Sequence, residues 1–215
     1  MLFDTAHPPQ YNPPYENATD DLFARHFLRY AAAGISFEPQ HGMQTLCGDF
    51  IIDFLVVDHE GRHIGIECDG KESHDLSRDE WRDGMILGEK HLDAIYRFRG
   101  QDLHYAWEDV MYFLFSMEPT IFATNAPLNL EVLISEEVRE STQDRYREFY
   151  SFRYPQECKI PCDFLSIARR RDLPGDRRNF WQTAYHFAAS IGGGPLDEVI
   201  HRFRMTAATF DNSHS

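Results

Sequence analysis

The sequence predicts a mixed α/β fold in which a central β-sheet is flanked by helices, in the order α-β-β-β-α-β-α. Segment 48–70 has the pattern of a hairpin, because two arms rich in β-branched and aromatic residues, 49–57 and 62–68, flank a turn. Segments 19–34 and 77–92, on either side of the hairpin, carry apolar residues at helical spacing. A length of 215 residues with 42% hydrophobic residues is sufficient for a substantial core.

The first helix is predicted to begin at Thr19, which is a suitable N-cap, and to end at Gly34. Asp20 and Asp21 in its first turn suit the positive end of the helix dipole. A first strand, 35–41, follows and leads into the hairpin.

The second helix begins with a capping box formed by Ser77 and Glu80, which follow the hairpin. A fourth strand is predicted at 94–98 because its residues are β-branched, aromatic or apolar with few exceptions. A third helix at 104–117 completes the predicted order.

Three regions organise the chain. Residues 1–18 hold four of the 11 prolines and are interpreted as an extended lead-in, 19–118 as the core, and 119–215 as a C-terminal extension or subdomain that is mostly helical. Within this extension we expect a strand at 128–134 and helices at 135–150, 179–191 and 196–207.

The net charge of -14 argues against binding nucleic acid through the field of the whole protein. Nucleic-acid binding would need a local basic patch, a metal ion that neutralises acids, or a partner. The four cysteines do not form a disulfide framework in a chain of this size, and Cys158 and Cys162 are interpreted as structural, with a zinc site as the alternative. With no secretory segment or apolar run of transmembrane length in the sequence, we expect a cytoplasmic protein that does not enter a membrane.

Acidic residues stand in both arms of the hairpin, where most strands carry apolar side chains. Strand alternation predicts that Asp53 shares a face with Leu55 and that Ile52 lies on the other face, while Glu67 and Asp69 share a face of the second arm. If these three carboxylates converge, they need a cation or a proton, and hard oxygen ligands favour Mg²⁺ or Mn²⁺ over zinc. Spacing alone is more typical of charges on an exposed sheet edge, so the flanking segments decide the interpretation.

Six pieces of sequence around the hairpin form an ordered set that covers residues 19–117, about half the chain. The pieces are Asp20-x-x-Phe23-x-x-x-Phe27, the strand end 37–40, 52–55, 66–70 with His74, Arg78-Asp79 with Arg82, and 95–98. This set resembles the PD-(D/E)xK, restriction-endonuclease-like superfamily, close to the very-short-patch-repair (Vsr-like) endonucleases. The resemblance implies a restriction-endonuclease-like core.

The resemblance also implies a metal site on the hairpin. Asp53 matches the metal-binding aspartate of the first arm, Glu67 matches the acidic position of the second arm, and Asp69 lies beside it. The backbone carbonyl of Cys68 would complete the metal shell. Asp20 stands where family members often carry a glutamate on the first helix.

Two further residues follow from the resemblance. His74 matches a histidine that in such enzymes lies near the attacking water or the leaving group. The superfamily's lysine normally lies two residues after the second acid, where this chain has Asp69; Lys71 is the nearest lysine, although Gly70 bends the strand before it.

The implied activity is Mg²⁺- or Mn²⁺-dependent endonucleolytic hydrolysis of phosphodiester bonds, with DNA as the expected substrate. The alternative is a catalytically inactive nuclease-fold module that binds nucleic acid or a protein partner. An RNA substrate, and a homodimer or larger complex that supplies DNA affinity, remain open.

Seven arginines are candidates for phosphate contacts. Arg78 and Arg82 lie one turn apart on the second helix, and a basic run with nearby aromatic residues lies in the extension. The alternative interpretation is that the two helix arginines are solvated or paired with nearby acids, and that the basic run is a solvated loop before an amphipathic helix whose aromatic residues belong to the core. The arginines of the basic run are Arg169, Arg170, Arg171, Arg177 and Arg178.

Overall fold

A single mixed β-sheet forms the centre of the protein, whose computed structural model describes residues 7–70, 76–154 and 163–212. Six strands build this sheet in the described part of the chain. Their bounds are β1 Ser36–Thr45, β2 Gly48–Val57, β3 His63–Asp69, β4 Ala94–Arg99, β5 Phe149–Arg153 and β6 Asp163–Arg170.

The strands lie in the spatial order β1-β2-β3-β4-β6-β5, which leaves β1 and β5 at the two edges. Only the β3–β4 pair is parallel among these neighbours, and the other four pairs are antiparallel. A parallel pair requires a crossover, and the chain between β3 and β4 contains the helix that supplies it.

Eight α-helices accompany the sheet in the described residues. They are α1 Ala18–Phe27, α2 Leu76–Gly88, α3 Gly100–Tyr105, α4 Trp107–Met117, α5 Ala126–Leu130, α6 Glu136–Ser141, α7 Phe180–Ser190 and α8 Leu196–Asn212. None of the helices in this part of the chain is long and apolar enough to span a membrane.

Each face of the sheet buries its own apolar cluster. On one face, Phe54 of β2 packs with Phe23 of α1 and Phe113 of α4. On the other face, Leu55 packs with Ile86 of α2. Burial of apolar surface on both faces stabilises a three-layer arrangement with the sheet in the middle.

The predicted central sheet with flanking helices is confirmed, and its elements follow the predicted order from α1 to α3. Two predictions in the second half are wrong. Segment 128–134 is not a strand, because Pro127 sits in the first turn of α5, where its missing N–H costs nothing. The expected helix at 135–150 ends at Ser141, because the residues after it pair with β6 as strand β5.

Other boundaries moved by small distances. The N-cap of α1 is Asn17 rather than Thr19, since its side chain accepts hydrogen bonds from the N–H groups of Thr19 and Asp20. The predicted helix at 104–117 is two helices, α3 and α4, with a break at Ala106.

Residues of the predicted C-terminal extension contribute to the central sheet. Strand β6 pairs antiparallel with β4 over five positions, from Ala94↔Arg170 to Phe98↔Ser166. Helix α7 adds Trp181 to the apolar cluster that α2 forms against the sheet. The second half of the chain therefore buries the β4 side of the sheet, next to the hairpin acids.

Candidate metal centre

The acids of interest lie where β2 and β3 stop pairing. The β2–β3 ladder runs from Val57↔His63 to Phe54↔Ile66. Beyond it, the N–H of Cys68 donates a 2.7 Å hydrogen bond to Oδ2 of Asp53. A side-chain carboxylate thus accepts the bond from a backbone donor at the point where the ladder ends, which fixes the Asp53 carboxylate against β3.

The alternation predicted for β2 fails at Asp53. Ile52 packs in the same cluster as Leu55, whereas regular alternation placed the two residues on opposite faces. Gly65 makes room for this packing, because a Cβ there would lie 2.2 Å from Cδ1 of Ile52. On β1, Gln40, between the paired Pro39 and His41, has a φ of 53°, a conformation uncommon outside glycine. The backbone is irregular on both strands at this point.

Asp20 approaches the same point from α1. It lies in the first turn of this helix and is 1% exposed. Neither oxygen of its carboxylate has a hydrogen-bond partner among the described residues. A buried carboxylate without a partner is costly, so it requires a proton or a cation.

Ligand atoms of Asp20, Asp53 and Cys68 lie within 4.8 Å of one another. Burial raises the pKa of Asp20 to about 7, and the Asp53 carboxylate acts in the same direction, against the lowering effect of Asn17 at the N-cap of α1. Burial also raises the pKa of Asp53, against the lowering effect of its hydrogen bond from Cys68. The pKa of the Cys68 thiol is raised well above its ordinary value, first by burial and then by the neighbouring acids, so the thiol is neutral.

Glu67 and Asp69 are close to this group but are held by arginines. The carboxylate of Glu67 forms an ion pair with Nη2 of Arg82. The same nitrogen also donates a 2.6 Å hydrogen bond to the carbonyl oxygen of Ile51. Asp69 accepts a 3.2 Å hydrogen bond from Arg97. Burial raises the pKa of Glu67, while the charges of Arg82 and then Arg97 act to lower it and so favour the ionised carboxylate of the pair. The structure therefore brings Asp53 together with Asp20 and places Glu67 and Asp69 in ion pairs beside them.

Arg97 is the residue that the sequence interpretation missed as part of this site. It is 2% exposed in β4, and its guanidinium donates 2.8 and 2.9 Å hydrogen bonds to Asp83 of α2. Arg169 donates a 2.6 Å bond to the same carboxylate. An arginine in the middle of an otherwise apolar strand was the signal available, because such a charge is buried only with a partner.

The predicted phosphate-binding arginines are mostly engaged elsewhere. Arg169 and Arg170 are each 2% exposed in β6, where Arg169 also pairs with Glu148 and Arg170 pairs with Glu118. Their interpretation as nucleic-acid contacts is wrong in this structure, because strand pairing buries them among carboxylates. Arg169 and Arg170 belong to strand β6, so the basic run is not entirely a loop.

The remaining arginines are nearer to solvent. Arg171 pairs with Asp93, Arg177 pairs with Asp144 and Arg78 pairs with Asp197, each at 3.0 Å. Arg178 is exposed. Lys71, His74, Cys158 and Cys162 lie outside the described residues, so their roles stay predictions.

Comparison of the chain with protein-family models, with curated proteins and with solved structures finds no match.

Proposed function

We propose that the protein is a divalent-metal-dependent endonuclease of the restriction-endonuclease-like superfamily, hydrolysing phosphodiester bonds in DNA. The observation that carries this proposal is the buried Asp20 carboxylate, whose two oxygens lack hydrogen-bond partners in the described chain and lie beside Asp53. A divalent cation would offset the cost of keeping both acids ionised. The observed order α1-β1-β2-β3-α2-β4 also supports the proposal.

The donor atoms fit Mg²⁺ or Mn²⁺ better than a softer metal. Asp20 and Asp53 supply carboxylate oxygens, which hard cations prefer. Cys68 contributes a neutral thiol, a poor ligand in that state, so its backbone carbonyl is the proposed donor. Glu67 and Asp69 complete the proposed set if they exchange their arginines for the cation.

The cation, when bound, would supply a water of lowered pKa and would polarise the phosphate. The protein's own residues orient these parts. The N–H of Cys68 holds the Asp53 carboxylate, and α1 carries Asp20 to the same point. Arg82, once Glu67 exchanges it for the cation, presents a guanidinium near the acids, a group suited to the charge of a phosphate. Acids that hold a cation can accept phosphate despite the net charge of -14.

The test is cleavage of plasmid and oligonucleotide DNA with Mg²⁺ or Mn²⁺. Asp53→Ala and Glu67→Ala are each expected to lose activity by about 100-fold or more, the scale of a lost catalytic group. Asp49→Ala is the matched control, because Asp49 is an exposed acid on the same strand, and it should keep wild-type activity. Equal residual activity in wild type, Asp53→Ala and Glu67→Ala would refute the assignment.

One observation favours a second function, a nuclease-fold module that binds nucleic acid or a protein without cleaving. Glu67 and Asp69 form ion pairs with Arg82 and Arg97, and Asp69 occupies the position at which a lysine is expected. Calorimetry separates the two functions. Binding of DNA without any binding of Mg²⁺ or Mn²⁺ would favour the module.

A further inference from the structure

A groove opens directly beside the acids, between the start of α1, the end of β3 and α3. Its volume is about 290 Å³, and its lining includes Thr19, Leu22, Gly70, Gly100 and Tyr105. Thr19 precedes Asp20 in the chain and Gly70 follows Asp69, so two residues that line the groove are bonded to residues of the candidate metal centre.

Glycines keep the floor of the groove open. A Cβ at Gly100 would lie 3.3 Å from the side chain of Thr19, which is tighter than ordinary contact, and 3.4 Å from the carbonyl oxygen of Asp69, which is an ordinary contact distance. A Cβ at Gly70 would meet nothing within 4 Å. Neither of these two lining residues places a side chain in the groove.

An aromatic ring stands at the groove without being buried. Tyr105, the last residue of α3, is 53% exposed, one of the large apolar side chains that the fold leaves in solvent. The imidazole of His104 contacts it edge to face, with ring centroids 4.5 Å apart. This contact supports the Tyr105 ring at the groove.

We propose that this groove takes one unstacked nucleobase, that of the nucleotide next to the phosphate at the acids, and that the base stacks on Tyr105. The inference rests on the proposed function and names how that site holds its substrate. Pockets for drug-sized ligands start at about 300 Å³, so the groove suits one base and not a base pair. A base reaches such a pocket only from a single strand or after leaving the duplex stack.

Stacking also supplies an attraction that does not depend on the charge of the protein. Base–aromatic stacking depends on the π-face of the base and works with any of the four bases. It needs no positive field, unlike phosphate contacts, and the net charge here is -14. Gln101 and His104 line the same groove and carry hydrogen-bonding groups for the edge of a base.

The experiment is a double-mutant cycle in which one change removes the Tyr105 ring and the other removes the base. The cleavage position of wild type in Mn²⁺ is first mapped on a short fluorescein-labelled single-stranded oligodeoxynucleotide. The same oligonucleotide is then made with an abasic site at each position around the cut, and kcat/KM is measured for wild type, Tyr105→Ala and Tyr105→Trp. Phe149→Ala is the matched control, because Phe149 is 52% exposed on the edge strand β5.

Removing the base at one position next to the cut should cost wild type about 10-fold in kcat/KM, the scale of one stacked base. On the intact oligonucleotide, Tyr105→Ala should lower kcat/KM about 10-fold. Removal of the base should lower kcat/KM of this variant no further, because the ring on which the base stacks is gone. Tyr105→Trp and Phe149→Ala should retain the wild-type pattern. Wild-type kinetics in Tyr105→Ala, or an unchanged abasic penalty in it, would overturn the proposal.

A binding measurement separates this inference from the proposed function. Fluorescence anisotropy with the same oligonucleotides is measured on Asp53→Ala and on Asp53→Ala combined with Tyr105→Ala. If wild type does not cleave the oligonucleotide, the proposed function is wrong. If removal of the base raises Kd by the same factor with and without the Tyr105 ring, the base site alone is wrong.

Discussion

Two groups of buried charge lie on neighbouring strands of the sheet, and they differ in whether the charges have partners. In the paired network, Asp83 of α2 contacts Arg97 at 2.8 Å and Arg169 at 2.6 Å. Burial acts to raise the pKa of Asp83, but Arg97 and Arg169 together lower it to about 2. This network is complete within the chain.

In the acid group, Asp20 and Asp53 face each other and the neutral thiol of Cys68. The pKa of Asp20 rises to about 7, because burial is not offset by a cationic partner. Asp20 and Asp83 are each 1% exposed, yet their pKa values shift in opposite directions. The paired network stabilises its own ionised state, while the acid group requires something that the described chain does not supply.

The largest effect is expected in the paired network. Asp83→Ala leaves the guanidinium groups of Arg97 and Arg169 buried without their shared carboxylate. We expect a loss of about 3–5 kcal/mol in the free energy of unfolding, measured by urea denaturation. Asp197→Ala is the control, because its pair with Arg78 is largely exposed and should contribute less than about 1 kcal/mol. A similar small loss in both variants would show that the network is not structural.

The acid group should respond to a cation instead. Mn²⁺ at about 100 times its Kd is expected to raise the free energy of unfolding of wild type by about 2.7 kcal/mol. Asp20→Asn and Asp53→Asn should lose this gain, while Asp49→Asn should keep it, since Asp49 is exposed. Urea denaturation with and without Mn²⁺ measures the difference. An equal gain in all four proteins would place the ion elsewhere.

Gly65 affects the acid group through Ile52, because it leaves room for Ile52 on the face of the sheet opposite to the one that alternation predicts. A Cβ at this position would lie 2.2 Å from Ile52 and 2.5 Å from Leu92, both in the core. Gly65→Ala should cost about 1–3 kcal/mol of stability through overpacking. It should also weaken Mn²⁺ binding, because Asp53 follows Ile52. Gly42→Ala is the control, since its Cβ would meet nothing within 4 Å. A destabilised variant with unchanged Mn²⁺ affinity would separate packing from the site.

His26 is a partly buried basic group without a carboxylate among the charges that shift its pKa, and its substitution is expected to have the smallest effect on stability. Burial against the stacked ring of Trp107, followed by the charges of Arg29 and Arg25, lowers its pKa from 6.5 to about 4. Between these values the unfolded chain takes up a proton that the folded protein does not, so stability falls as the pH drops. His26→Phe should lose less stability than wild type from neutral pH to pH 4. Parallel stability curves in urea at a series of pH values would contradict this assignment.

Local pattern was sufficient for much of the first half of the chain. The two arms of the hairpin and the helix stripes on either side follow from residues that interact with near neighbours, so β2, β3 and α2 lie close to their predicted positions. Periodicity failed at 135–150, where β5 forms because a distant strand, β6, offers it backbone partners. A propensity scale cannot register a partner that lies far along the chain.

The site divides in the same way. Acids in apolar strands are visible without a fold, so the sequence singled out Asp53, Glu67 and Asp69 as candidates, and the segments that flank the hairpin favoured a metal site over an exposed sheet edge. Tertiary structure decided that Asp20 reaches Asp53, because helix packing sets that approach, and that Arg82 and Arg97 hold the other two acids. Tertiary structure also decided the face of the sheet on which Asp53 lies. Alternation of side chains holds only while strands remain paired, and the β2–β3 pairing ends at Phe54, the residue next to Asp53. The sequence specifies the type of each residue, whereas the partner of each charged side chain depends on which surfaces the fold brings together.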